Sequence, residues 1–276
     1  MHFRKVESSV DKFHFLWYTF ETVNGKGCTI MDNSDSRLQV VVKSNDLVQQ
    51  TRYNLSLQEQ KIILFVISKI KPTDEAFKEY VFDIKELCDV CGITHDKTNF
   101  TYIKKSLQSI RDKSFWVKIN DRETTCSWIL KPNLYPKSSV VGVILDEDLK
   151  PFLLQLREHF TSYELGCVLV MQSKYSIRLY EILKSYAYLE EIELSLEKIR
   201  EQMMITKYEK YQDFRRNVME KAMDEINTYT DLDVSFTPVR QSRVIVGLRF
   251  NIRTKSSVEQ LVARVDRNVE IDKNKR

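Results

Sequence analysis

The sequence predicts an α+β chain built from two tandem copies of one helix-rich unit, and three observations carry that expectation. A length of 276 residues exceeds one ordinary core, because a domain typically takes roughly 100–200 residues. Runs with helical hydrophobic spacing alternate with short β-patterned runs, which marks a mixed fold. The pattern around Phe82 also returns around Leu194, an offset of 112 residues.

The elements follow in order from about Leu38. Leu38-Gln39-Val40-Val41-Val42-Lys43 reads as a short strand, and Ser44-Asn45-Asp46-Leu47-Val48 opens a helix. Ser56-Leu57-Gln58-Glu59 has the S-x-x-E capping-box form, in which Ser and Glu satisfy each other's orphan amides. Behind it Ile62, Ile63, Phe65, Val66 and Ile70 recur at helical spacing. Tyr80-Val81-Phe82 reads as a strand. Asp83-Ile84-Lys85-Glu86 is a second capping box, and its short helix stops at Gly92, a suitable residue just past a helix end. A helix over about 97–112 turns Tyr102, Ile103, Leu107 and Ile110 inward, and strands follow at Phe115–Ile119, Thr125–Leu130 and Val140–Leu145. Asp146-Glu147-Asp148 reads as the start of a helix over 147–157, where carboxylates favour the dipole; a divalent-cation site is the alternative.

The second half repeats the plan. Phe82-Asp83-Ile84-Lys85-Glu86-Leu87 through Gly92-Ile93 corresponds to Leu194-Ser195-Leu196-Glu197-Lys198-Ile199 through Met204-Ile205. Upstream, Leu64-Phe65-Val66-Ile67 falls on Leu179-Tyr180-Glu181-Ile182. Downstream, Ile103 and Leu107 fall on Met219 and Met223, so that Phe100–Ile119 corresponds to about 216–235. Each half reads helix, strand, helix, helix, strand, strand. Two helices on a short connection, followed by a β-hairpin, form a winged helix, whose second helix can enter a major groove. The expected fold is therefore two tandem winged-helix domains related by internal duplication. A duplicated three-helix unit that packs only for structural reasons is the bland alternative.

Composition excludes several classes. With 42% hydrophobic and 30% charged residues the chain is a packed protein, not a disordered one. Six glycines and five prolines exclude collagen-like and linker architectures, and argue against phosphate-cradling loops. No apolar run reaches the ~18 residues of a membrane span. Five cysteines are few and odd in number, so a disulfide framework is not expected and a cytoplasmic location is. The net charge of +4 does not announce nucleic acid, because binding depends on where charge lies. Residues 1–36 differ from the rest, with six aromatics in the first twenty positions; translation from Met31 is one reading, since Lys26-Gly27 can be encoded by a purine-rich ribosome-binding sequence.

Catalytic signatures do not assemble. The chain has no GxxxxGK[ST], no GxSxG and no HExxH, and its four histidines are scattered. Cys88-x-x-Cys91 with His95 and Cys126 is the best zinc candidate, yet an i, i+3 pair on a short helix is the pattern of core packing. No enzyme, cofactor or metal site is expected.

The strongest positive signal is Lys207-Tyr208-Glu209-Lys210-Tyr211-Gln212-Asp213-Phe214-Arg215-Arg216-Asn217, which begins the second helix of the second helix-turn-helix. Phe214, Val218, Ala222 and Ile226 form an apolar i, i+4 stripe for the core. Lys210, Asp213, Arg216, Asn217 and Glu220 then point away from it. Arg215 lies nearer the stripe but at the N-terminal end, from which recognition helices read bases, and Arg to guanine is the commonest base contact. The DNA-binding candidates here are Lys207, Lys210, Gln212, Asp213, Arg215, Arg216 and Asn217. The connection Pro238–Arg243 adds Arg240 and Arg243 at a wing tip, where a charged turn can grip phosphate. The equivalent helix start in the first half offers Lys97, Thr98, Asn99, Thr101, Lys104 and Lys105, phosphate-capable donors without an arginine.

From about Val41 to Arg253 the chain resembles the iteron-binding plasmid replication initiators, the Rep proteins with two winged helices. The matching segments are Lys43-Ser44-Asn45-Asp46-Leu47-Val48, Leu57-Gln58-Glu59-Gln60-Lys61, Lys174 through Lys184, Asp213-Phe214-Arg215-Arg216 and Glu225-Ile226-Asn227. The resemblance implies binding to directly repeated double-stranded origin DNA, with Arg215 as main base reader and Arg216 in support. It implies phosphate contacts and a dimer interface in the first winged helix, monomer and homodimer forms, autorepression by dimers, and contacts with the host initiator and helicase. It implies no cofactor and no membrane. The expected division is 1–36 as an extension, 37–160 and 161–256 as first and second winged helices, and 257–276 as a tail. A winged-helix transcriptional regulator without a replication role is the alternative.

Overall fold

Sheet register settles how the two units are built, because each strand's inward side chains are fixed by its partner. The computed structural model describes residues 36–93, 99–137 and 139–274. After a 3-10 turn (Ser36–Leu38), β1 (Val40–Ser44) runs into α1 (Asn45–Gln50), and the Ser44 hydroxyl accepts the Leu47 amide at 3.1 Å. In α2 (Leu57–Ser68) the expected capping box is complete: the Ser56 amide donates to Glu59 at 2.6 Å and the Glu59 amide to Ser56 Oγ at 3.3 Å. β2 (Tyr80–Asp83), α3 (Ile84–Cys91) and α4 (Asn99–Arg111) complete the first helical part.

Four strands follow: β3 (Ser114–Ile119), β4 (Arg122–Ser127), β5 (Ile129–Tyr135) and β6 (Val140–Leu145). α5 (Lys150–Leu153), β7 (Phe160–Glu164) and α6 (Gly166–Leu169) lead to α7 (Lys174–Ser185), the first helix of the second unit's repeat. β8 (Glu191–Ser195), α8 (Leu196–Gln202), α9 (Tyr211–Phe214), a π-helical turn (Arg215–Met219) and α10 (Glu220–Tyr229) come next. The hairpin β9 (Leu232–Gln241) and β10 (Val244–Thr254) precedes α11 (Ser257–Asn274).

The duplication holds at the level of single atoms. Asp83 and Ser195 are the N-caps of α3 and α8. Gly92 and Met204 both take left-handed backbone, at φ 67° and 50°. The Ile93 amide donates to Cys88 O and the Ile205 amide to Arg200 O, each at 2.9 Å. Every one of these pairs keeps the 112-residue offset.

The wings do not correspond as expected. β8 pairs with β10, which pairs with β9; in the first unit β2 pairs with β6, which pairs with β5. Phe82 faces Val141 as Leu194 faces Leu248. β5 and β6 therefore hold the wing positions of the first unit. Phe115–Ile119, expected to match the start of the second wing, lies instead in the hairpin β3–β4, which among the described residues pairs only with itself. The expected strand Thr125–Leu130 is broken at Trp128, whose side chain is fully buried between β4 and β5.

Three smaller expectations are corrected. Asp83 caps the Lys85 amide at 2.6 Å, but the Glu86 carboxylate turns away to Lys69 Nζ at 2.6 Å and does not close a second capping box. Tyr102 is exposed, because the inward face of α4 is set by Ile103, Leu107 and Ile110, all fully buried. The helix expected over 147–157 is a 3-10 turn (Glu147–Leu149) followed by α5, and ends where Leu154 turns extended and Gln155 left-handed. Asp146 does cap its start, accepting the Asp148 amide at 3.1 Å.

β7 returns to pair antiparallel with β1, which ties residues 160–164 to residues 40–44. Above this pair the units meet around Arg178. Its guanidinium donates to Val48 O at 2.7 Å, Thr51 O at 2.8 Å and Gln202 O at 3.1 Å, satisfying carbonyls at the ends of α1 and α8. Beside it Lys43 and Glu181 form a buried ion pair, and Tyr163 donates to Glu181 at 2.5 Å. Burial opposes the charge on Glu181, but Lys43 and Arg178 outweigh it and hold its carboxyl below the ordinary range.

Candidate nucleic-acid interface

α8 and α9 are the helix pair of the second helix-turn-helix, and the chain between them is held by one side chain. Arg200 on α8 donates to Tyr208 O at 2.8 Å, Glu209 O at 3.2 Å and Lys207 O at 3.4 Å. The same guanidinium lies 4.7 Å from the centroid of the Phe214 ring. Phe214 is fully buried, so Arg200 fastens the turn to the core on which α9 sits. Tyr208 takes left-handed backbone within this turn, at φ 61°.

The apolar stripe read from the sequence faces inward: Phe214, Val218, Ala222 and Ile226 are all fully buried. Arg215 and Arg216 stand outside it, their side chains 53% and 73% exposed. The π-helical turn begins at Arg215, whose carbonyl accepts the Glu220 amide. Each arginine is paired along the helix surface, Arg215 with Glu220 at 2.9 Å and Arg216 with Asp213 at 3.2 Å. Such exposed pairs are weak and exchange readily for a phosphate or a base edge. Lys210 is the N-cap residue of α9 and is exposed, as is Gln212. Lys207 is exposed in the turn, ahead of the helix it was expected to begin. Asn217 is half-buried and donates back to Asp213 O at 2.9 Å.

The wing carries two further candidates. β9 extends to Gln241, so Arg240 is a strand residue and the tip is the pair Ser242-Arg243. Both arginines are exposed. The Tyr211 hydroxyl is buried without a hydrogen-bond partner; burial raises its pKa while Arg215 and Arg240 pull it back. Arg200 and Tyr211 were missed as contributors to the site. Arg200 falls on Cys88 in the repeat, and a cation in place of a buried apolar residue was the signal available.

In the first unit Thr101, Lys104 and Lys105 are exposed on α4. Asn99 is its first residue; Lys97 and Thr98 lie outside the described residues. Cys88 and Cys91 are fully buried in the core of that unit, as i, i+3 packing residues. Among the described residues no group of three or more His, Cys, Asp or Glu could hold a metal, and no helix is long and apolar enough to cross a membrane.

This geometry agrees with what the chain resembles among known proteins. A family described as "Initiator Replication protein, WH1" matches residues 40–184, and one described as "Initiator Rep protein, WH2" matches residues 195–252. An Escherichia coli protein described as "Replication initiation protein" is 25% identical over 205 residues, which cover 70% of this chain and 63% of that protein. The chain therefore spans less than two thirds of the length of this relative. A crystal structure of the Pi initiator protein in complex with iteron DNA superposes with a TM-score of 0.65 at 17% identity, covering 80% of this chain and 99% of that one. At that identity the likeness speaks for the fold. Since the first family match alone spans more than half of the residues and the second takes up the unit after it, the chain belongs to the initiator replication protein family.

Proposed function

We propose that the chain initiates plasmid replication by binding directly repeated origin DNA, its iterons, through the second winged helix. The observation that carries this reading is the exposure of Arg215 and Arg216 at the start of the recognition helix, over the buried stripe Phe214, Val218, Ala222 and Ile226, together with the exposed wing arginines Arg240 and Arg243. The helix start enters the major groove, Arg215 reads base edges with Arg216 in support, and Lys207, Lys210, Arg240 and Arg243 hold phosphates. The first winged helix adds phosphate contacts through Thr101, Lys104 and Lys105 on α4 and provides the dimer interface. Dimers repress the protein's own promoter, and bound monomers recruit the host initiator and helicase. Family membership and the likeness to an initiator solved on iteron DNA support the reading.

Salt titration of binding to a direct-repeat duplex tests it. Neutralising Z phosphates gives a log–log slope of about −0.9Z, and both the slope and a preference for repeats over random duplex are expected. Equal affinity for repeat and random DNA, or preference for a single palindrome, would refute the iteron reading.

A further inference from the structure

The stretch Arg52–Glu59, which leads from α1 into α2, gathers cations from three elements. Lys174, the first residue of α7, donates from Nζ to Asn54 Oδ1 at 2.9 Å. Lys113, just beyond the end of α4, donates to both oxygens of Glu59, at 2.7 and 2.5 Å. Arg52 itself reaches across to α8, where its guanidinium pairs with Glu201 at 2.9 Å. Both units thus contribute to one cationic seam where they meet. None of these three side chains belongs to the helix starts or to the wing.

Lys174 is out of place by every local rule. In the correspondence that sets Leu64 on Leu179, Glu59 falls on Lys174, so the repeat exchanges a carboxylate for an ammonium. Glu59 suits the positive end of α2, whereas α7 has no acidic residue in its first turn and begins with a cation. Lys174 is half-buried, and its one hydrogen bond goes to a neutral amide oxygen. Burial lowers its pKa, and Lys113 and Lys207 lower it further, against the pull of Glu59. Lys207 stands exposed in the turn ahead of α9. Among the described residues neither Lys174 nor Lys207 pairs with a carboxylate. Departures of this kind collect at functional sites. What relieves the misplaced charge is an anion, and duplex DNA offers a row of them.

We propose that this seam holds the phosphate backbone of duplex DNA beside the groove that the start of α9 enters, with Lys174 as the direct contact. The proposal rests on the DNA-binding reading above and adds positioning residues to it. Arg52, in an exposed pair with Glu201, exchanges readily onto a phosphate. Lys113 stays on Glu59 and adds its field. Because phosphate contacts fix register without reading bases, the seam sets how the two units lie on the duplex and leaves sequence choice to Arg215.

The test is binding of the full chain to a direct-repeat duplex and to a random duplex across a salt series. Lys174→Gln is expected to lose affinity by the same factor on both, and to flatten the log–log salt slope by about 0.9, the share of one phosphate. Glutamine can still donate to Asn54, so the fold is kept, and Lys174→Arg keeps the charge and the slope. Ethylation of single phosphates gives a second readout: a position whose ethylation blocks the wild type no longer matters to Lys174→Gln. An unchanged slope in Lys174→Gln, or a loss confined to repeat DNA, would overturn the proposal and leave the DNA-binding reading standing. Wild-type binding that ignores salt would overturn both.

Discussion

Arg200 lies with its guanidinium 4.7 Å above the Phe214 ring while donating to the three carbonyls at 207–209. One side chain thus joins the first helix of the helix-turn-helix, its turn and the buried anchor of its second helix. Arg200→Ala is expected to destabilise the protein by about 1–2 kcal/mol, from lost hydrogen bonds and cation–π contact. Repeat-DNA affinity should fall further than stability explains, with faster amide exchange at residues 208–212. Arg200→Lys keeps the charge but not the planar fork, and restores only part of the binding. Unchanged exchange in this segment would show that the turn holds itself.

Arg215 and Glu220 bracket the π-helical turn with both a backbone and a side-chain bond. In the DNA-binding reading, Arg215 must leave Glu220 to reach a base. Arg215→Ala should cost about 1–3 kcal/mol on repeat DNA and little on random duplex. Glu220→Gln releases the arginine and should strengthen binding to both. Competition gel-shift on the two duplexes measures this; equal losses for Arg215→Ala would reduce the residue to a phosphate contact.

Local signals were legible wherever the deciding partner lies nearby in sequence. Ser44, Ser56, Asp83 and Ser195 announce helix starts because a cap bonds two or three residues on. The stripe from Phe214 to Ile226 needed only the helical period. The first wing was misread because strand identity depends on which strand pairs with β2, and the answer, β6, lies some sixty residues away. Alternation alone made β3–β4 look equally suitable. Glu86 has the residue type and spacing of a capping box, yet Lys69, seventeen residues upstream, offers it a charged donor instead. The role of Arg200 is hard to read because its three acceptors are backbone atoms, and its one mark in the sequence is a cation at the position of Cys88 in the repeat.

Gly92 and Met204 hold the same left-handed position after α3 and α8, but only one of them is a glycine. A side chain there is strained, typically by about 1 kcal/mol, whereas glycine adopts the conformation freely. Gly92→Ala should therefore destabilise by about 1 kcal/mol despite open space around the added methyl. Met204→Gly relieves strain but loses a half-buried side chain, and should lie within about 1 kcal/mol of wild type. Urea unfolding of both variants checks the pair; a large loss in Met204→Gly would mean that packing, not backbone, governs that corner.

The Glu59 carboxylate gathers three donors, the Ser56 amide at 2.6 Å, Ser109 Oγ at 2.6 Å and Lys113 Nζ at 2.5 Å, while its own amide donates to Ser56 Oγ in the reciprocal half of the cap. Burial alone would raise its carboxyl, but Lys113, Ser109 and Ser56 outweigh it and hold the group below its ordinary value of 4.5. A carboxyl depressed in the folded state contributes stability that is fully present above its unfolded value and is lost as the pH falls through the folded one. The melting temperature should thus decline on acidification below about 4.5. Glu59→Gln should cost about 1–2 kcal/mol at neutral pH and flatten the acid side of the curve, because the glutamine cannot titrate. Parallel curves for wild type and variant would assign the acid sensitivity to Glu181, whose carboxyl is likewise held low by Lys43 and Arg178 against its burial.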